Sequence, residues 1–245
     1  MSSDLVNLFN DDVATTLPAD SHIDHVITVK YWSDKPATVN GMLGGYAQVS
    51  RTDLQGSKTF FAKARRLVPG CVATGKLKRG VDCGAGIGRV INDFLGQVCE
   101  VVDAVEPVEK FTRVLRERRL ARNCVLGDVL TIGIEAWIPT KTQYDLIWAQ
   151  WSVAYLTDVQ LVEYVMRCRG ALTATGILVI KENISEEPEG DLYDESESSV
   201  TRTDQKLRKL FGEAGMDVIL SELQSGFPPH LRLLPVRSYA LRPKS

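Results

Sequence analysis

Between about residue 79 and residue 183 the sequence alternates between two periods. Short apolar runs of strand type fall near 79–83, 100–106, 122–126, 143–149 and 176–182. Between them, near 88–96, 107–119 and 157–170, apolar residues recur at helical spacing. Strand and helix in regular turn bury both faces of a sheet when the strands run parallel and the helices cross over it, so βαβ units are expected. "GILVIKEN" (176–183), apolar without alternation, reads as a strand covered on both faces. A helix near 203–214 stops at Gly215, and strands near 216–224 and 236–242 close the chain. The expected fold class is α/β: a doubly wound, Rossmann-like sheet of seven strands with an antiparallel edge strand and an N-terminal helical extension, whose helical pattern runs from Thr59 to Leu67. Residues 1–30 are polar and without a period, as in a flexible or loosely docked extension, which leaves 31–245 as a single domain.

Charge and cysteine usage narrow the function classes. A net charge of −2 supplies no field to hold a nucleic acid or an anionic membrane, so neither is expected as a partner. Five widely spaced cysteines without a C-x-x-C pair read as reduced thiols, with neither a disulfide framework nor a zinc site. The N-terminus lacks a basic segment followed by an apolar run, and no apolar stretch is long enough to span a bilayer. A non-secreted monomer of the cytoplasm or nucleus is expected.

The chemistry concentrates where strands end. In "GVDCGAGIGRV" (80–90) a strand stops at Asp82, glycines follow at 84, 86 and 88, and a helix begins. Glycines let backbone approach a ligand, and a helix start offers free N–H groups. The spacing is G-x-G-x-G, not the G-x-G-x-x-G of a pyrophosphate cradle, which favours a nucleoside site of the S-adenosylmethionine type over a nicotinamide site. Arg89 suits a carboxylate clamp. Glu106, 22 residues beyond Gly84, suits a ribose diol, although Pro107 after it also makes it an ordinary helix-start carboxylate. Asp128 and Val129 are placed beside an adenine, or in a plain turn. Asn183 ends the central apolar strand, where open α/β sheets bind ligands. In "DLIWAQWSVAYLTD" (145–158) a second tryptophan, Trp151, follows Gln150 where the strand gives way to a loop.

Other features read as structural. Glu186, Glu187 and Glu189 suit a solvated loop. The basic run "RVLRERRLAR" (113–122) lacks interleaved aromatics and suits a solvated helix face. His22 and His25 stand in a segment read as disordered, so no metal site is expected. No histidine follows a strand-end motif, so a Ser-His-Asp mechanism has no base.

The whole span from "YWSDKPATVNGMLGGY" (31–46), through "DCGAGIGR", "IWAQW" and "VIKEN", to "SYALRP" (238–243) resembles the eukaryotic protein α-N-terminal methyltransferases. These use S-adenosylmethionine, leaving S-adenosylhomocysteine, to methylate the free α-amine of proteins beginning X-Pro-Lys or X-Pro-Arg. The glycine loop is common to many methyltransferases; "GMLGGY" and "IWAQW" are more specific. The resemblance implies that Gly84, Gly86, Arg89, Glu106, Pro107, Val108, Asp128, Val129 and Gln150 contact the cofactor, with Trp32 and Met42 covering it. It implies that Leu43, Tyr46, Trp151, Tyr155, Asp194 and Ser199 contact the peptide, and that Asn183 and Glu197 hold the reacting amine. This chain departs from the family at Glu197, where aspartate is common, at Tyr155, where a histidine stands, and at Leu234, where a tyrosine stands. A methyltransferase of the same fold acting on a small molecule or a lysine side chain is the alternative.

An α-amine titrates near ~7.7–8.0 against ~10.4 for lysine, so bringing it to the neutral nucleophile needs roughly 3 kcal/mol less. In this reading Trp151 packs on the prolyl ring, Asp194 and Glu197 attract the ammonium and a basic third residue, Asn183 orients the amine and Glu197 takes its proton. No metal is needed.

Overall fold

The computed structural model describes residues 17–71, 74–117, 124–188 and 190–244. Three helices, α1 (His25–Asp34), α2 (Val39–Met42) and α3 (Ser50–Ala64), precede β1 (Leu77–Cys83). A π turn over Ile91–Leu95 leads into α4 (Gly96–Val98), followed by β2 (Cys99–Val105), α5 (Glu109–Glu117), β3 (Val125–Leu130) and β4 (Tyr144–Gln150). Then come α6 (Asp158–Ala171), β5 (Leu172–Asn183), the short strands β6 (Leu192–Asp194) and β7 (Ser199–Thr201), α7 (Asp204–Glu213), β8 (Met216–Leu223) and β9 (Val236–Pro243). Seven of the strands form one sheet in the order β3-β2-β1-β4-β5-β9-β8. β1 pairs parallel with β2 and β4, and β4 pairs parallel with β5. The expected antiparallel pairing closes one edge, with β9 running against both β5 and β8.

Alternation along the strands divides the core between two faces. On β4, Leu146 and Trp148 pack with Phe60 and Phe61 of α3 and Phe94 of the π turn. Ile147 and Ala149 face the other way, against Leu161 and Val165 of α6 and Phe211 of α7. Each such fully buried side chain contributes about 1.5–3 kcal/mol. α6 starts cleanly because Thr157 and Gln160 form a reciprocal capping box.

Four expectations are corrected. The flexible extension over residues 1–30 is not what residues 19–30 form: a turn over Ala19–His22 and then α1 are folded against the domain, and residues 1–16 lie outside the described residues. His22 accordingly packs on the Tyr193 ring, and His25 bonds Gln160 at 3.2 Å. α3 begins nine residues before the expected Thr59, and β3 runs over 125–130, not 122–126. Part of the acidic stretch folds as a hairpin, β6 with β7, while Glu186 and Glu187 are exposed as expected and Glu189 lies outside the described residues. The basic run continues α5 through Glu117, where Arg113 bonds Glu109, and residues 118–122 lie outside the description.

Candidate active site

Strand order reverses between β1 and β4, and in such sheets a crevice opens beyond the C-terminal strand ends at that point. The glycine loop crosses it. Gly84 N and Ala85 N donate to Val105 O at 2.8 and 3.1 Å, drawing the loop over the end of β2. Gly84 (φ +83°) and Gly86 (φ +53°) adopt left-handed backbone. A Cβ on Gly84 would stand 2.5 Å from Ser152 Cβ, and one on Gly86 2.8 Å from Met42 Sδ. The loop is thus pinched between the segment after β4 and the N-terminal segment. Glu106 braces it from below, accepting from Gly86 N and Val108 N at 2.8 Å each.

These residues line a cavity roofed by α1 and α2 through Trp32 and Met42. Val29, Trp32, Ala37, Val39 and Met42 pack on Ile87, Val108 and Phe111, closing the roof over the start of α5. Lys110 Nζ pins the end of α1 by donating to the carbonyls of Ser33 and Lys35. Two buried carboxylates face the cavity. Burial pushes Glu106 up to about 7 against its two backbone bonds. Burial also pushes Asp82 up to about 7, with Arg89 opposing, and its Oδ2 has no partner among the described residues.

Arg89 belongs to a buried cluster that periodicity does not reveal. Its Nη1 donates to Asp53 Oδ2 at 2.8 Å. Lys181 Nζ donates to Asp53 Oδ1 at 2.5 Å and to Ser57 Oγ at 3.0 Å. Gln150 Nε2 donates to both Asp53 oxygens, and its Oε1 accepts from Trp148 Nε1 at 3.1 Å. The two cations hold Asp53 below the usual carboxylate range despite its burial. Two cations against one anion leave the cluster with an excess positive charge at the cavity wall.

A second cavity opens on the far side of Trp32, Met42, Trp151 and Tyr155, which line both. Trp151 stands between the two in a left-handed conformation (φ 52°), costly for a bulky residue and a mark of a site that fixes its geometry. Its backbone N donates to Lys181 O at 2.9 Å, and its ring lies 5.7 Å from the Arg89 guanidinium. The second cavity also takes in Leu43, Tyr46, Asn183, Glu197, Ser199 and Leu234. Asn183 presents a side-chain amide that bonds no described residue. Glu197, carried in on the β6–β7 hairpin, accepts from Tyr31 OH at 3.1 Å and from Tyr155 OH at 2.8 Å. The hairpin is itself held by α1: Thr28 Oγ1 donates to Glu197 O at 3.2 Å and Asp24 N to Ser198 Oγ at 2.7 Å.

The structure therefore brings Trp32, Met42, Gly84, Gly86, Arg89, Glu106, Pro107, Val108 and Gln150 to the first cavity. Asp128 and Val129 are not there. Asp128 is exposed and bonds Arg79 at 3.3 Å, while Val129 packs into the core on the α3 side. β3 runs on to Leu130, so the wall they were expected to form is made by Gly133, Ile134 and Glu135. Asp194 is also absent from the second cavity; it is exposed and accepts from Ser196 Oγ at 2.7 Å within its own turn. Asp53, Tyr31 and Ile134 join the site without a sequence signal, and Asp82 joins it from the end of β1. "VDCGAG" could have flagged Asp82.

The first cavity fits S-adenosylmethionine on its own geometry. The unpartnered Asp82 Oδ2 and the surplus charge around Arg89 match the ammonium and carboxylate of an amino-acid tail.

Similarity to known proteins agrees with this geometry. A family model described as AdoMet-dependent proline di-methyltransferase matches residues 20–242. The α N-terminal protein methyltransferase 1 of Schizosaccharomyces pombe is 39% identical over 221 residues, covering 89% of this chain and 95% of its own length. The N-terminal Xaa-Pro-Lys N-methyltransferase 1-B of Xenopus laevis is 36% identical over 212 residues, covering 86% and 92%. A solved SAM-dependent methyltransferase of Leishmania major superposes with a TM-score of 0.78 at 35% identity, covering 88% of this chain and 81% of its own. With a donor cavity suited to S-adenosylmethionine and a family match across most of its length, the chain belongs to the AdoMet-dependent proline di-methyltransferase family.

Proposed function

We propose that the protein methylates the α-amino group of proteins whose exposed N-terminus reads X-Pro-Lys or X-Pro-Arg, with S-adenosylhomocysteine as the second product. One observation carries this reading: the donor and acceptor cavities meet on Trp32, Met42, Trp151 and Tyr155, so a chain end entering the second cavity arrives at the wall of the first.

When bound, the cofactor supplies a methyl group activated on a sulfonium. The protein's own groups do the rest. Asp82 and the Arg89 cluster hold the amino-acid tail, and Glu106 takes the ribose hydroxyls. The Trp151 indole offers a flat apolar face to the prolyl ring and tolerates the neighbouring cation. The Asn183 amide and the Glu197 carboxylate orient the amine, with Glu197 held in place by two phenols. α1 and α2 keep water from the junction, so positioning and fixed charge carry most of the acceleration.

Mass spectrometry of X-Pro-Lys peptides after incubation with the protein and S-adenosylmethionine tests the reading. Mass gains in multiples of one methyl on free N-termini, and none on N-acetylated copies, are expected. Methylation that survives acetylation would move the acceptor to a lysine side chain and overturn it.

A further inference from the structure

The acceptor cavity has two walls of unlike charge. One is the β6–β7 hairpin, where Glu197 is held between Tyr31 and Tyr155 and where Asp194 and Glu195 stand exposed in the turn. The other is the connection from β8 to β9, residues 224–235. Its last residues are fixed beside β5, where Ile184 N donates to Pro235 O at 2.8 Å and Val236 pairs with Asn183. This connection reads "QSGFPPHLRLLP" and contains no carboxylate. It brings Phe227, Arg232, Leu233 and Leu234 to the cavity.

Arg232 is there against the preference of its own backbone. It closes the short turn over Pro229–Leu231 in a left-handed conformation (φ 49°, ψ 39°), with its N donating to Pro229 O at 3.2 Å. Glycine or asparagine takes that conformation readily and arginine does not, so the turn itself gives no reason for this side chain. Nor does a contact within the fold. The residue is exposed, and among the described residues its guanidinium makes no hydrogen bond or ion pair. Lys35, the other cation lining the cavity, is already engaged, with its Nζ 3.9 Å over the Tyr31 ring. An unpaired guanidinium at the rim of a peptide cavity, kept where the backbone favours another residue, points to an anion brought by the substrate.

We propose that Arg232 is a specificity-determining residue, selecting protein N-termini in which X-Pro-Lys or X-Pro-Arg is followed directly by acidic residues. This rests on the N-terminal methyltransferase reading. With the amine held at Trp151 and Asn183, the first three residues span at most ~10 Å at ~3.3–3.6 Å each, and the basic third residue is drawn to the hairpin. The chain then leaves through the mouth, where Arg232 meets the side chains that follow. A carboxylate there accepts the guanidinium's paired N–H groups, whereas a lysine or arginine is repelled. A basic residue followed by acidic ones therefore matches both walls. Rim charges of this kind act on encounter and on the choice between partners more than on affinity, and salt screens them.

The test measures kcat/KM on three peptides that share one neutral tail and begin X-Pro-Lys-Glu-Glu, X-Pro-Lys-Gln-Gln or X-Pro-Lys-Lys-Lys. Wild type, Arg232→Asn and Arg232→Glu are compared at ionic strengths of ~0.01 and ~0.5 M, with S-adenosylhomocysteine affinity taken by calorimetry. Wild type is expected to favour the Glu-Glu peptide over the Lys-Lys peptide by about tenfold at low salt and by about twofold or less at high salt, with Gln-Gln between them. Arg232→Asn suits the turn at least as well, so it should fold, bind S-adenosylhomocysteine as wild type does and lose most of that preference. Arg232→Glu should reverse it. A wild-type ratio near one at low salt, or one favouring Lys-Lys, would overturn the role of Arg232 and leave the methyltransferase reading standing. So would a preference that both variants retain, or one that changes only together with S-adenosylhomocysteine affinity, which would make the side chain structural. If wild type methylates none of the three peptides, the underlying reading fails and the role falls with it.

Discussion

Tyr155 donates its phenolic hydrogen to Oε2 of Glu197 across 2.8 Å, joining the wall shared by both cavities to the hairpin that carries the acidic group. Burial, with Glu197 adding to it, lifts the phenol well above its ordinary value, so Tyr155 acts as a donor at any working pH. The pair also explains how the longer glutamate arm is aimed: one oxygen is held by Tyr155 and the other by Tyr31.

Tyr155→Phe keeps the ring and removes the aiming bond. Hydrogen bonds to a charged group contribute about 1.5–3 kcal/mol, so peptide KM should rise roughly tenfold or more. Calorimetry should find cofactor affinity within about twofold of wild type, since the cofactor reading gives this hydroxyl no role there.

Trp32 and Leu43 should separate the two cavities. Trp32 lines both, whereas Leu43 lines only the acceptor cavity. Trp32→Ala is expected to weaken cofactor and peptide together, each by about tenfold, and Leu43→Ala the peptide alone. Separate titrations of the two ligands read this directly.

Asp53→Asn leaves two buried cations, on Arg89 and Lys181, without their shared anion. Breaking a buried pair from one side costs on the order of 3–5 kcal/mol, which urea unfolding would register. Adding Lys181→Met to Asp53→Asn removes one of the stranded charges and should recover part of that loss. A double variant less stable than Asp53→Asn would show that the cluster is held by something other than charge balance.

Asp82 exchanges stability for binding. A carboxyl whose folded pKa stands above its unfolded value takes up protons on folding; Asp82, raised from 3.8 to about 7, therefore contributes most below pH 3.8, and its contribution is lost as pH rises through about 7. Asp82→Asn should leave ligand-free stability unchanged near pH ~4 and raise it by on the order of 2 kcal/mol near pH ~8. In the proposed function Asp82 meets the cofactor's ammonium, so the same substitution should lower affinity for S-adenosylhomocysteine at least tenfold. Thermal unfolding at the two pH values, with and without that ligand, checks both halves.

Local order was written in one dimension. The strand-type apolar runs of β1, β2 and β4, the unbroken apolar run that ends β5, the glycine spacing at 84, 86 and 88, and the strand-end residues Glu106, Gln150 and Asn183 all depend on neighbours within a few positions, and these are where the sequence places them. Elements whose inward face is polar, or whose outward face is apolar, could not be read that way. α3 buries Asp53 and Ser57 completely because Lys181 and Arg89 meet them from other elements, so its first half carries no hydrophobic signal. α1 leaves Val26 77% exposed and buries Thr28, an inversion that makes a packed helix look like a loose tail.

The same limit governs the site. β3 is an edge strand whose pairing with β2 shifts register between Val102 and Ala104, so the residue that ends it is set by its neighbour, and Asp128 ends outside the cavity that Ile134 enters. Two phenols on Glu197 and the shared anion at Asp53 arise from residues far apart in the chain. Periodicity records which side of an element faces inward; charge pairing and burial depend on what else arrives there, and that is settled when the chain closes on itself.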